Sequence, residues 1–131
     1  MPLDETVARL AAMKTFATVA TLMPDGMIQA LPLWIDADDE HLLINTERDR
    51  QRTKNVRRDP RITVTLVNPD NPYEWAEVRG RVVEIDESPA AREHIDALSR
   101  KYTGRDYANP IGSPRVILRV QPERTLTAAR R

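Results

Sequence analysis

Seven basic side chains, Arg48, Arg50, Arg52, Lys54, Arg57, Arg58 and Arg61, fall within fourteen residues of a chain whose formal net charge is zero. A strand-like run, His41 to Thr46, precedes them and another, Ile62 to Val67, follows, so Leu42 to Pro60 reads as strand, short turn and polar helix. Positive charge at the start of a helix suits an anionic ligand, because free N–H groups and the helix dipole favour the same charge. By charge alone the run reads equally as a solvated connector around its one apolar residue, Val56, or as a loose nucleic-acid patch.

Missing residue types narrow the chemistry. There is no cysteine, hence no disulfide, thiolate metal site or cysteine nucleophile. The two histidines, His41 and His94, fall in different elements, which argues against a His-based zinc site or a Ser-His-Asp triad; both read as surface or internally satisfied residues. Outside the basic run the charge is balanced and aromatic residues make up only 5% of the chain, so no nucleic-acid partner is expected. The start, Met1 to Glu5, has no signal-peptide pattern and no apolar stretch could span a bilayer, so a cytoplasmic protein without membrane contact is expected.

The elements that must position the basic run follow from the patterning. At 131 residues a single domain, 1–131, is expected. Asp4 can cap a first helix with Val7, Leu10 and Ala11 on one face. Strands follow over Thr15 to Leu22 and Met27 to Ile35, joined by a Pro24-Asp25-Gly26 hairpin; Pro32 puts the second at an edge or a bulge. The third strand is His41 to Thr46. Asp49 is the expected N-cap of the basic helix, which places Arg50, Gln51 and Arg52 in its first turn, and Asp59-Pro60 stops it. Two more strands cover Ile62 to Val67 and Tyr73 to Ile85, the latter bent or bulged at Gly80. Ser88-Pro89 opens a helix that runs to Tyr102 and ends at Gly104, burying Ala91, Ile95, Leu98 and Tyr102. A loop, Arg105 to Pro114, leads to a sixth strand, Arg115 to Val120, and Thr125 to Ala128 can add a short last one. About six strands with short turns and three helices at corners favour a mainly β, antiparallel barrel over a βαβ sheet.

The order of several segments resembles the pyridoxamine 5'-phosphate oxidase-like split-barrel superfamily, in particular its coenzyme F420-dependent branch, the F420H2-dependent reductases. The segments are Phe16 to Leu22 with Asp25-Gly26 and Gln29 to Trp34; Ile44-Asn45-Thr46 followed by Arg50 to Arg61; Asn71-Pro72-Tyr73 running into Glu77 to Val82; and His94-Ile95-Asp96 to Lys101-Tyr102-Thr103-Gly104. The likeness covers Thr15 to Val120.

That resemblance implies a homodimer with two cofactor sites at the subunit interface and a small-molecule substrate. By position, Asn45 and Thr46 would lie near the ribityl chain of the cofactor, Arg50, Gln51 and Arg52 would face its phosphate, and Asn55 would brace the same helix turn. Arg52 stands where the family usually has lysine; arginine can pair bidentately with phosphate. Arg57 and Arg58 would meet the acidic tail of coenzyme F420 or face water. Trp34 and Trp75 either line the site or pack in the core, the commoner fate of a lone tryptophan. Tyr102 reads as core, and Tyr107 could reach the partner's pocket. No side chain is required as acid or base, since the cofactor carries the chemistry. The activity implied is hydride transfer between F420 and a small organic acceptor. The alternatives are an FMN-binding oxidase or flavin reductase of the same fold, and a non-catalytic flavin or deazaflavin carrier.

Overall fold

The computed structural model describes residues 1–129. Ten elements follow one another: α1 (Glu5–Ala11), β1 (Phe16–Leu22), β2 (Ile28–Trp34), β3 (Asp36–Ala37), β4 (Leu42–Glu47), α2 (Gln51–Arg58), β5 (Arg61–Asn68), β6 (Asn71–Asp86), α3 (Ala90–Thr103) and β7 (Arg115–Thr127). The strands form one sheet in the order β2-β1-β5-β6-β7-β4-β3, with every pair antiparallel. β2 and β3 are the two outer strands, yet only Ile35 separates them in the chain. The sheet must therefore curl until its edges meet, and that closure is the split barrel. Among the described residues no helix is long and apolar enough to cross a membrane.

Local chemistry explains the elements. The Asp4 carboxylate accepts from the N–H groups of Thr6 (2.9 Å) and Val7 (3.4 Å), capping α1, which buries Val7, Leu10 and Ala11. Its last turn is closed from outside: Lys101 Nζ donates to the carbonyls of Ala11 (2.6 Å) and Ile35 (2.8 Å). Gly26 takes a φ of +88° in the β1–β2 hairpin, and Pro32 lies on the edge strand, where its missing N–H breaks no ladder bond.

Inside the barrel Val19, Ile44, Ile62, Val64, Leu66, Val78, Val116, Leu118 and Val120 form one core with the buried face of α1 and Val56 of α2. Each such side chain contributes about 1.5–3 kcal/mol when fully buried. β4 is buried along its whole length because both faces are covered. Leu42 and Ile44 point into the barrel, while Leu43 packs outside against Ala91 of α3 and Ile117 of β7.

The structure departs from the sequence reading in four places. Seven strands replace six, because Asp36 and Ala37 pair with Leu43 and Leu42. The last two expected strands are one, Arg115–Thr127, which passes Pro122 at a bulge opposite Gly80. α3 begins at Ala90, one residue later than expected, although Pro89 is already helical and Ser88 Oγ accepts from the Ala90 N–H at 3.3 Å. The N-cap of α2 is Arg50 and not Asp49. Asp49 is held elsewhere: its N–H donates to Ser113 Oγ (3.1 Å) and its carboxylate accepts from Arg48 Nε (3.1 Å). Arg50 therefore precedes the helix, and only Gln51 and Arg52 of the expected trio lie in its first turn.

Candidate functional site

The β4–α2 corner opens onto a hollow lined by Arg50, Arg52, Arg115 and Asn45 together with Trp34, Leu98 and Tyr107. No side chain caps α2 and its first turn holds no acidic residue, so the leading N–H groups of the helix find no side-chain acceptor. Arg52 is half-buried beside that helix end. Its Nε is buried without a hydrogen-bond partner, and the guanidinium forms no ion pair among the described residues. Burial, together with the nearby charges of Arg50 and Arg115, holds the Arg52 guanidinium below its ordinary value. Burial also lowers Arg115, partly offset by Tyr107 and Glu47. Arg52 is thus a half-buried cation with no ion-pair partner of its own among the described residues, crowded by Arg50 and Arg115, an unfavourable arrangement that an anion would relieve.

A buried carboxylate organises the rim. Glu47, the last residue of β4, accepts from the backbone N–H (2.9 Å) and Oγ (3.3 Å) of Ser113 and lies 3.8 Å from Arg50 and 3.7 Å from Arg115. Burial by itself would raise its pKa, but hydrogen bonds from the backbone of Gly112 and Ser113, with the charge of Arg50, hold the carboxyl below its usual range. The loop between α3 and β7 is thereby pinned over the corner. Tyr107 from that loop packs its ring 5.2 Å from the Arg115 guanidinium and stands edge-on to Trp34, centroids 6.2 Å apart.

The expected site residues divide. Asn45, Arg50, Arg52 and Trp34 share the hollow. Gln51 and Asn55 lie behind it: Gln51 Nε2 donates to Asn55 Oδ1 (2.8 Å), and Asn55 Nδ2 donates to Thr21 Oγ1 (3.0 Å), tying α2 to β1. Thr46 is fully buried, and its Oγ1 has no hydrogen-bond partner. Arg57 pairs with Glu87 at 3.1 Å and Arg58 donates to the Leu22 carbonyl, both at the far end of α2. Trp75 lines a separate hollow with Tyr73 and Thr127, so this chain does not bring it to Trp34. Glu47 and Arg115 escaped the sequence reading. Arg115 follows the loop at the start of a strand, and nothing in its local sequence shows that β7 pairs with β4 and sets it against Asn45.

A seven-stranded antiparallel split barrel with a basic strand–helix corner defines the class: an oxidoreductase fold that holds flavin-type cofactors. The chain belongs to the pyridoxamine 5'-phosphate oxidase family, whose model matches residues 3–128. Among solved structures, an F420 reductase is 28% identical with a TM-score of 0.83, covering 95% of this chain and 98% of that one. The conserved hypothetical protein Rv2991 from Mycobacterium tuberculosis is 26% identical with a TM-score of 0.73, covering 95% of this chain and 84% of its own. HupZ from Group A Streptococcus, at 22% identity and a TM-score of 0.67, covers 95% of this chain and 93% of its own and shares the fold. A comparison with curated proteins found no match.

Proposed function

We propose that this protein is an F420H2-dependent reductase that transfers hydride between the deazaflavin coenzyme F420 and a small organic acceptor. The observation that carries the reading is Arg52: a half-buried guanidinium with an orphaned Nε, beside an uncapped helix start and next to Arg50 and Arg115. That donor set fits a phosphate group, which accepts from several N–H groups at once. When bound, the coenzyme supplies a hydride from its reduced ring. The protein's part is placement: Arg50, Arg52 and the first N–H groups of α2 hold the phosphate, and the Asn45 amide faces the adjoining chain. Gln51 and Asn55 keep the helix in register with β1. The aromatic wall of Trp34 and Tyr107 gives a planar ring an apolar face and excludes water. The likeness to an F420 reductase, at 28% identity over nearly the whole of both chains, favours the deazaflavin over FMN.

The working form under this reading is a homodimer. The hollow of one chain encloses about 240 Å³, less than the roughly 300–1,000 Å³ usual for a small-molecule site. Phe16 and Ile28 leave large apolar side chains exposed on the outer face of β1 and β2, at 60% and 67% exposure, which suits burial against a second copy.

A fluorescence titration with coenzyme F420, with FMN in parallel, tests the proposal. Micromolar or tighter binding of F420 with weaker FMN, followed by acceptor-dependent oxidation of reduced F420, is the expected result. Preference for FMN would move the protein to the oxidase members of the fold. Binding of F420 without turnover on any acceptor would leave a carrier.

A further inference from the structure

His94 stands apart from the cofactor reading, yet it sits within a chain of side-chain hydrogen bonds that links β3, β4 and β7. From α3 its Nε2 lies 2.8 Å from Asp36 Oδ2 on β3, and its Nδ1 lies 3.0 Å from Asn45 Nδ2 on β4. The same Asn45 Nδ2 donates to the Ala91 carbonyl at 2.8 Å, and Asn45 Oδ1 accepts from Arg115 Nε at 2.8 Å. A primary amide has two hydrogens to give, and here one goes to Ala91 and one to His94. The His94 Nδ1 must then be a bare acceptor, which puts the ring hydrogen on Nε2, facing the Asp36 carboxylate. With both amide hydrogens spent, the Asn45 oxygen is the group left to receive Arg115.

We infer that His94 is a positioning residue: by accepting from Asn45 it fixes the amide in the one orientation that can hold the Arg115 guanidinium in the hollow. The inference rests on the proposed cofactor site for its functional consequence, but not for its geometry. A proton added to Nδ1 meets the Asn45 Nδ2 donor head-on. Turning the amide over does not rescue the arrangement, because it sets Oδ1 against the Ala91 carbonyl and Nδ2 against the Arg115 Nε–H. Protonation of His94 therefore releases Arg115 from Asn45. The charged groups around the ring are Asp36 on β3 and Lys101, two turns along α3, whose charge favours the Asp36 carboxylate; Arg115 lies on β7 beyond the amide. Arg119, also on β7, is taken up by Asp38 and Glu84.

The test follows the Arg115 Nε–H signal by nitrogen-edited NMR in the ligand-free protein and, in parallel, the affinity for coenzyme F420 with inorganic phosphate as a second probe. Three proteins are compared: wild type, His94→Ala and His94→Asn. Asparagine carries an oxygen at about the same distance from Cβ as Nδ1, accepts from Asn45, and takes up no proton. In the wild type the Nε–H signal should be protected while the His94 ring is neutral and lost once Nδ1 takes up a proton. His94→Ala should lose it at every pH, and His94→Asn should keep it throughout. Affinity should fall with the signal by about tenfold, the worth of one hydrogen bond to a charged group. An Arg115 signal that persists in His94→Ala and ignores pH would overturn the inference, whatever the affinity does. A signal that behaves as expected in a protein that binds neither F420 nor phosphate would support the positioning and sink the cofactor reading instead.

Discussion

The indole of Trp34 lies flat against the phenol of Tyr102, with centroids 5.0 Å apart and planes 6° from parallel. One ring comes from the last residue of β2 and the other from the last turn of α3. Tyr102 is not merely filler at that junction. Its hydroxyl donates to the Thr15 carbonyl (2.5 Å) and accepts from the Ile35 N–H (3.1 Å), at the point where the chain leaves one sheet edge for the other. Tyr102→Phe keeps the stacking ring and strands both backbone groups, so it should destabilise the fold by about 1–3 kcal/mol. Urea denaturation reads this directly as a lower midpoint at unchanged slope; an unaltered midpoint would mean that water replaces the hydroxyl.

Arg52 should show the opposite balance. Its guanidinium gains no hydrogen bond or ion pair within the described residues, while burial and two neighbouring arginines disfavour its charge. Arg52→Ala should weaken F420 binding by about 1.5–3 kcal/mol, yet leave the melting temperature of the ligand-free protein unchanged or higher. Paired isothermal titration and thermal melts separate the two effects. A variant that loses stability and keeps affinity would show that Arg52 serves the fold.

The Glu47 carboxyl has its own pH signature. Its folded value lies below the ordinary 4.5 because the backbone of Gly112 and Ser113 and the charge of Arg50 outweigh the effect of burial. A lowered folded value means that the charged form favours the folded state, so the stabilisation is complete above 4.5 and drains away as the pH falls through the folded value. Glu47→Gln should therefore melt below the wild type at neutral pH, and the gap should close progressively as the pH falls from 4.5 through the folded value. Hydrogen exchange should also speed up in the loop around Ser113 at neutral pH, since the amide oxygen is a weaker acceptor for its N–H. A gap that widens in acid would reverse the assignment.

What was legible in the sequence and what was not follows from the range of the interactions. The β4–α2 corner, the hairpin at Gly26, the edge position of Pro32 and the end of α3 at Gly104 are each written in a few adjacent residues. The start of α2 falls one residue beyond the sequence expectation because Ser113, more than sixty residues away, engages the Asp49 N–H. Arg115, Glu47 and the link between His94 and Asn45 belong to the pairing of β4 with β7 and the packing of α3 across them. No local period encodes that meeting. His94 looked like a satisfied histidine, and it is one; the sequence could not show that its partner also holds a site arginine.

Gly80 gives the sharpest test of how the barrel is closed. A Cβ built there would lie 2.1 Å from the Gln121 carbonyl oxygen and 3.1 Å from Pro122 Cα, both backbone atoms that no rotamer change can clear. The β6–β7 register slips at this point, with Arg79 opposite Arg124 and Gly80 opposite Pro122. The missing side chain is thus what lets β7, after its pairing with β4 over Arg115 to Val120, pass a proline and stay on the β6 ladder. Gly80→Ala should cost about 1–3 kcal/mol and lower the melting temperature by roughly 5–15 °C. Gly26 supplies the comparison. It needs its positive φ of 88°, but a Cβ there meets nothing within 4 Å, so Gly26→Ala should cost only about 1–2 kcal/mol of backbone strain. Because Gly80 lies on the ladder that positions Arg115 and Gly26 lies on a remote hairpin, Gly80→Ala should also weaken F420 binding while Gly26→Ala leaves it intact. Equal losses of stability and equal affinities in the two variants would show that the β6–β7 backbone yields to the extra carbon and that the bulge does not govern the site.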